Sequence, residues 1–355
     1  MAAENLLERR VPAESLFDLT QAIFSRCGME EADARLLADT LVTSDLRGVH
    51  SHGVIRVPEY VKKLTVAGVN PKGRPRVVKD NGACLVVDGG NSMGQIGAHF
   101  AMERAIERAQ QIGLAAVAIR GSNHCGAMAY YAMQALPHDM IGIATTNALP
   151  VMAPWGGAER ILGINPVGIA IPAGEERPIV YDAAFSGSSM GKIRVYQQQG
   201  RQLPEGWAVD RHGRPTTDPT AAIEGLLVPI GGFKGTGLSL IAGLMSSMLS
   251  GAAYGTELGS LEEGPIAGKD GHFVLALRVG AFEDVARFKV RIDGAIRQLH
   301  SCRRAEGFDR VYAPGEKEFE TQDAYLRDGI PLNDVTLAAL RRVAAELEVG
   351  APLPG

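Results

Sequence analysis

Apolar side chains recur at helical spacing through the first part of the chain. In residues 14–27, Leu16, Leu19 and Ile23 share one face and Gly28 stops the run. Residues 30–46 repeat the pattern through Ala34, Leu37 and Leu41, and residues 54–66 suit a third helix. The Pro/Lys/Arg-rich residues 70–76 read as a connector. From Ala83 the texture changes. Short apolar runs predict strands at 83–88, 114–119, 140–145, 167–171, 179–181, 226–230 and 273–279. Between them, helical spacing predicts helices at 94–111, 128–136, 236–253 and 284–300, so the middle of the chain is a mixed α/β core. A last helix at 332–347 returns to the character of the first ones and is expected to pack beside them. No repeat of fixed period is apparent.

The 355 residues suggest roughly two domains and can bury a large core without disulfides or metal staples. With 46% hydrophobic and 21% charged residues, this is an ordinary globular composition. A net charge of −4 with no run of Lys or Arg argues against nucleic acid, whose phosphates need a basic stripe. Small anions stay open, because a few placed cations bind those locally. Cys27, Cys84, Cys125 and Cys302 are far apart and form no C-x-x-C pair, so zinc-ribbon, redox-motif and disulfide-framework readings fail. Residues 1–10 carry acids and no apolar core, unlike a signal peptide. Residues 236–254 are uncharged and long enough to span a bilayer. Gly, Ser and Ala dominate them and no belt frames both ends, so a buried helix with small-residue faces fits better. The expectation is a cytoplasmic chain without membrane contact.

Three segments hold candidate chemistry. The first is Arg47-Gly-Val-His50-Ser51-His52-Gly53-Val-Ile-Arg56-Val-Pro-Glu-Tyr60, with Arg56 and Tyr60 four apart on one helix face. A histidine can take a hydroxyl proton as hydride leaves, and an arginine can grip a carboxylate bidentately. The same residues also fit a helix cap with exposed His50 and His52. The second, Gly121-Ser-Asn-His124-Cys125-Gly126, follows a strand, where α/β proteins place ligands, and makes His124 another acid/base candidate. An Asn/Ser-rich cap for the helix near Met128 is the structural alternative. The third, Gly231-Gly-Phe233-Lys234-Gly-Thr-Gly237, offers helix-start N–H groups and a charge to an anion, or is a tight turn with a surface lysine. Asn165 and Asp182 at strand ends and the Arg310–Glu316 turn are weak signals alone. Zinc held by His50, His52 and His124 ranks below proton transfer, since no H-E-x-x-H or Cys/His cluster supports it. No G-x-G-x-x-G follows a predicted strand, so any dinucleotide would bind without the Rossmann loop.

Together these blocks resemble the malate/L-lactate dehydrogenase family that lacks a Rossmann fold, whose relatives include ureidoglycolate and sulfolactate dehydrogenases and piperideine-2-carboxylate reductases. The carrying segments are Ser51-His-Gly-Val-Ile-Arg-Val-Pro-Glu-Tyr60, Asn123-His-Cys-Gly126, Gly163-Ile-Asn-Pro-Val167, Val180-Tyr-Asp-Ala-Ala184, Gly231 to Leu238, and Arg310-Val-Tyr-Ala-Pro-Gly-Glu316. The resemblance implies an NAD- or NADP-dependent dehydrogenase of a small 2-hydroxy acid, with reduction of cyclic or N-alkyl 2-imino acids as the alternative. A histidine-ligated metal hydrolase stands further off. Implied catalytic residues are Ser51, His52 and His124, with either histidine as proton carrier. Arg56, Tyr60 and Ile164 fall on substrate positions. Cys125, Gly126, Ala127, Met128, Ala129, Asp182, Ala183, Ala184, Phe233, Lys234, Arg310, Pro314, Gly315 and Glu316 fall on cofactor stretches, and no metal is expected. The implied fold is a non-Rossmann α/β core with a mixed sheet (residues 76–305). An N-terminal helical segment (1–75) and a C-terminal one (306–355) pack together beside it, in a homodimer or larger assembly. Two departures stand out: Ile164 where the family often has Thr, and Phe185 for Thr in the stretch after Asp182. No acidic partner completing a Ser–His relay can be placed.

Overall fold

The computed structural model describes residues 8–260 and 263–350. The chain opens with strand β1 (Glu8–Val11) and helices α1 (Ala13–Arg26) and α2 (Glu31–Leu46). Two single 3₁₀ turns, His50–His52 and Val54–Arg56, then lead into α3 (Val57–Thr65). The expected third helix thus starts later, with Pro58 in its first turn, where its missing N–H is no loss. Next come β2 (Arg76–Asn81), β3 (Cys84–Asp88), α4 (Gly94–Ile112), β4 (Leu114–Ser122), α5 (Met128–Met133), β5 (Met140–Thr146), β6 (Val167–Ile171) and β7 (Ile179–Ala183). Helices α6 (Met190–Gln198), α7 (Pro219–Glu224) and α8 (Phe233–Ser247) precede β8 (Asp270–Arg278) and α9 (Val285–Ser301). The chain closes with α10 (Glu316–Asp328), β9 (Ile330–Asn333) and α11 (Asp334–Glu346).

Seven strands form one mixed sheet in the order β2-β3-β4-β8-β5-β6-β7. Within it β3 and β4 pair parallel, and the other neighbours run antiparallel. The run at 226–230 is a correction: only Leu226–Leu227 is strand, and it pairs with Ala208–Val209 outside this sheet. Leu227 is drawn there by a separate small core with Met152, Leu162, Ile193 and Ala222. Conversely, β4 and β7 run past their apolar stretches to Ser122 and Ala183, because Asp270 and Val167 still offer a backbone to pair with.

One core buries Leu16, Leu19, Leu37, Leu41 and Tyr60 of α1–α3 against Leu337 and Leu340 of α11. The last helix therefore packs on the first three, and β1 pairs antiparallel with β9. A second core sets Ala98, Ala101, Met102 and Ala105 of α4 against Val87, Val117, Ile119 and Val274 of the sheet. Helix α8 overturns the expectation of full burial. Its small face (Gly235, Ser239, Ala242, Gly243, Ser246) is buried, while Leu238, Leu240 and Ile241 are exposed. The small face permits close approach to the sheet: Ser246 Oγ is 2.8 Å from Thr145 Oγ1, and a Cβ on Gly243 would meet Asn165 Nδ2 at 2.5 Å. No helix among the described residues is long and apolar enough to cross a membrane.

The start of α4 is fitted as tightly onto the end of β4. A Cβ on Gly94 would lie 1.9 Å from the Asn123 carbonyl oxygen. Gly94→Ala is expected to cost about 1–3 kcal/mol, read as a lower urea midpoint at an unchanged slope.

Candidate active site

Past α2 the chain reverses through residues 47–53, and the buried Asp45 sets that reversal. Its Oδ2 accepts the Val54 N–H at 2.7 Å, and its Oδ1 is 2.7 Å from His50 Nδ1. Gly53 lies against this carboxylate, where a Cβ would sit 2.1 Å from Oδ1. His50 is thus a structural post, its ring stacked 6.0 Å from that of Tyr325 in α10. The turn it fixes presents Ser51 and His52 towards the ends of the sheet.

Ser51 Oγ and His52 Nδ1 are 3.0 Å apart. The His52 ring lies almost parallel to that of His124, with centroids 5.8 Å apart. His124 arrives on the loop after β4, held there by Asn123, whose Nδ2 donates to the Ser92 carbonyl at 2.7 Å. Nδ1 of His124 is 2.7 Å from the Tyr60 hydroxyl, which in turn accepts from Gln95 Nε2 at 3.1 Å. The Gly126 N–H also points at Nδ1, at 3.4 Å. With donors on Nδ1, neutral His124 carries its proton on Nε2.

Arg56 is fixed by two bonds, Nε to the Ser51 carbonyl and Nη1 to Glu59, each 2.8 Å. Lys63 shares the same carboxylate at 3.2 Å. Burial pushes the Glu59 carboxyl up, but Lys63 and Arg56 outweigh it and hold the group below its ordinary value. The same cations lower the histidines too, but there they disfavour the charged form instead of favouring it. Burial, reinforced by Arg56, pulls His52 down to about 4. Burial with Lys63 and Arg56 holds His124 well below the usual histidine range. Both rings are neutral bases beside positive charge.

A cavity of about 200 Å³ adjoins this pair. It is lined by Ser51, His52, Gly126, Ala127, Met128, Ala129, Ile164, Asp182, Ala183 and Ala184, and also by Arg47 and Glu318. Asp182 caps α5 by accepting the Ala129 N–H at 2.7 Å. Although open to the cavity it is surrounded by protein, and this burial pushes its carboxyl up to about 6. Ile164 turns an apolar surface to the cavity. The other expected residues stand outside its lining. His124, beside His52, and Arg56 and Tyr60 are not among its lining residues. The Cys125 thiol is buried 3.5 Å from His272 Nδ1 and pushed above its ordinary value by that burial, so it is inert. The Pro314 carbonyl accepts the Val180 N–H at 2.9 Å, and Gly315 fits against Val180 where a Cβ would be 2.8 Å from its carbonyl oxygen. Glu316 ties its own turn, accepting the Ala313 N–H at 2.7 Å and facing Arg310 and His300. Phe233 and Lys234 are exposed in the first turn of α8; Ile230, just before them, donates its N–H to the Phe185 carbonyl at 2.9 Å. These two outlying segments therefore flank the 182–184 stretch.

Sequence reasoning missed Asp45, Glu59, Lys63 and Gln95. Glu59 and Lys63 could have been found from their three- and four-residue spacing to Arg56 and to each other. Gln95 carries no local signal; only the fold brings α4 under Tyr60. Among the described residues no group of three His, Cys, Asp or Glu side chains could hold a metal ion.

A family model described as malate/L-lactate dehydrogenase matches residues 11–341. A malate dehydrogenase of Pyrococcus horikoshii is 37% identical over 348 residues, covering 96% of each chain. A ureidoglycolate dehydrogenase (NAD(+)) of Escherichia coli O157:H7 is 31% identical over 326 residues, 92% of this chain and 93% of that one. The sulfolactate dehydrogenase structure from Methanocaldococcus jannaschii matches with a TM-score of 0.90 at 35% identity, covering 96% of this chain and 98% of that one.

Asp45→Ala leaves the Val54 N–H and His50 without their partner. Stability is expected to fall by about 1–3 kcal/mol, measured by urea denaturation.

Proposed function

The chain belongs to the malate/L-lactate dehydrogenase family, and from that premise we propose how its own residues carry the reaction. It is a nicotinamide-dependent oxidoreductase that moves a hydride between the cofactor and a small 2-hydroxy or 2-oxo acid. The observation that carries the assignment of roles is the stacked, neutral His52–His124 pair, which feels the Arg56 charge and reaches the cavity through His52.

Gly126 to Ala129 and Ala183 to Ala184 wall the cavity with backbone and mostly small side chains, a slot that suits a flat aromatic ring. NAD or NADP, when bound, supplies the nicotinamide carbon that takes or gives the hydride. Phe233, Lys234 and the Arg310, Pro314, Gly315, Glu316 turn, flanking β7, are read as contacts for the rest of the cofactor. Arg56 has its plane set by Ser51 and Glu59, and its Nη2 remains for the C1 carboxylate of the acid. The C2 oxygen then faces both rings. His124 donates a hydrogen bond to it from Nε2–H, in the tautomer that Tyr60 and Gln95 impose. His52 exchanges the proton: its Nδ1–H can rest on Ser51 Oγ, which leaves Nε2 free to accept the hydroxyl proton during oxidation and to return it during reduction.

The same reading divides the chain near residues 75 and 305, on the support of the core that α1–α3 share with α11. It takes the largely antiparallel sheet as a non-Rossmann cofactor platform beside that terminal helical layer. The exposed Leu238, Leu240 and Ile241 of α8 support burial against a second copy in a homodimer or larger assembly. Four free cysteines support a reducing, cytoplasmic setting.

The test follows nicotinamide absorbance with 2-oxo, 2-hydroxy and cyclic 2-imino acids, each with NAD and NADP. Turnover confined to imino acids would move the substrate class, and no turnover with no nucleotide binding would sink the assignment. Because the histidines stay neutral in the free enzyme, kcat/KM for oxidation is expected to be level between about pH 8 and about pH 6. Over the same range kcat/KM for reduction should rise about tenfold per unit of added acidity, as the protonated fraction grows. His52→Ala is expected to cut turnover about 10²–10⁴-fold and to erase that slope. His124→Ala should lower kcat/KM and keep the slope; the opposite pattern in steady-state profiles would exchange the two roles.

A further inference from the structure

Arg47 is the residue that this chemistry leaves unused. It closes the C-terminus of α2 and is only 6% exposed. Its guanidinium lies 4.6 Å over the ring of Phe319 in α10, and it lines the same cavity as Ser51 and His52. Nη1 is buried without a hydrogen-bond partner among the described residues. Burial pulls the group below its ordinary value; Glu318 and then Asp182 oppose this by their charge, with no direct ion pair among the described residues. A guanidinium withdrawn from water, stacked on one face and short of acceptors in its plane, is an unfinished interaction. Its remaining donors suit a planar or tetrahedral oxyanion approached edge-on. Under the proposed reaction Arg56 takes the C1 carboxylate, which leaves Arg47 as the cation of the cavity lining without an assigned anion.

Resting on the reading of this cavity as the reaction site, we propose that Arg47 is a second anion-binding cation of the site, which takes an oxyanion carried by what fills the cavity. Two ligands carry that chemistry: the distal carboxylate or sulfonate of a dianionic 2-hydroxy acid, and a phosphate oxygen of the cofactor. In either case Arg47 sets specificity, in the first for diacids over monoacids and in the second for the nucleotide.

The experiment compares the full-length wild type with Arg47→Met and Arg47→Lys. NADH and NADPH binding is read by fluorescence. Binding of L-malate and of L-lactate is read as the rise in melting temperature, with kcat/KM measured alongside. Arg47→Met is expected to weaken one ligand by about tenfold or more, with Arg47→Lys retaining part of the affinity through its charge. A loss for L-malate that spares L-lactate and both nucleotides assigns the distal acid group. A loss of nucleotide binding with the malate-to-lactate ratio unchanged assigns the phosphate. Changes below about twofold in both arms overturn the proposal. Equal losses in the two variants also overturn it, since packing on Phe319 rather than charge would then be the cause. A wild type that binds no nucleotide and no acid overturns the parent reading and this one together, whereas a competent wild type beside an indifferent Arg47→Met overturns Arg47 alone.

Discussion

A carboxylate with almost no water around it has few ways to be satisfied, and at Asp45 those few ways decide where the histidine turn goes. The Val54 N–H and His50 are its partners, one just beyond the reversal that follows α2 and the other within it. Meeting them folds residues 47–53 into one shape, with Gly53 leaving room for the oxygens. Ser51, His52 and Arg56 inherit their positions from that shape. Arg56 adds a second tie by donating to the Ser51 carbonyl, so the turn is held from its buried side and from its outer side.

The electrostatics of the site follow from the same placement. Bringing Arg56 and Lys63 beside two desolvated imidazoles makes the imidazolium forms unfavourable, while Glu59 keeps the cations from repelling each other apart. The site therefore combines positive charge with neutral bases. An acid substrate arrives as an anion and completes the charge balance. In the proposed reaction its carboxylate relieves the cations and eases protonation of a histidine, which would link binding charge and moving a proton in one small volume.

Helix α8 obeys a different constraint. Glycine, serine and alanine face inward because the sheet must come close, which leaves leucine and isoleucine with nowhere to go but out. The usual amphipathic order is inverted, and the described residues leave that surface exposed.

Much of the architecture was legible in the residue pattern. Helices α1, α2, α4, α9 and α11 and most sheet strands have apolar spacing strong enough to fix their type, because burial of one face is a local demand repeated along the element. The family blocks likewise named Ser51, His52, Arg56, Tyr60 and His124 as one set. What the pattern left open depends on partners distant in the chain. The run at 226–230 joined a small separate core instead of the main sheet, and α10 escaped notice because its face is mostly polar. Gln95 reaches Tyr60, and Tyr60 reaches His124, only once α4 is laid beside the first helices. Arg47 looked like part of a cap until Phe319 and Asp182 closed around it. The sequence by itself determined which residue types could do the chemistry and which segments would be helix or strand. Tertiary structure alone decided protonation and the use of each charge, because those depend on desolvation and on neighbours that no local spacing records.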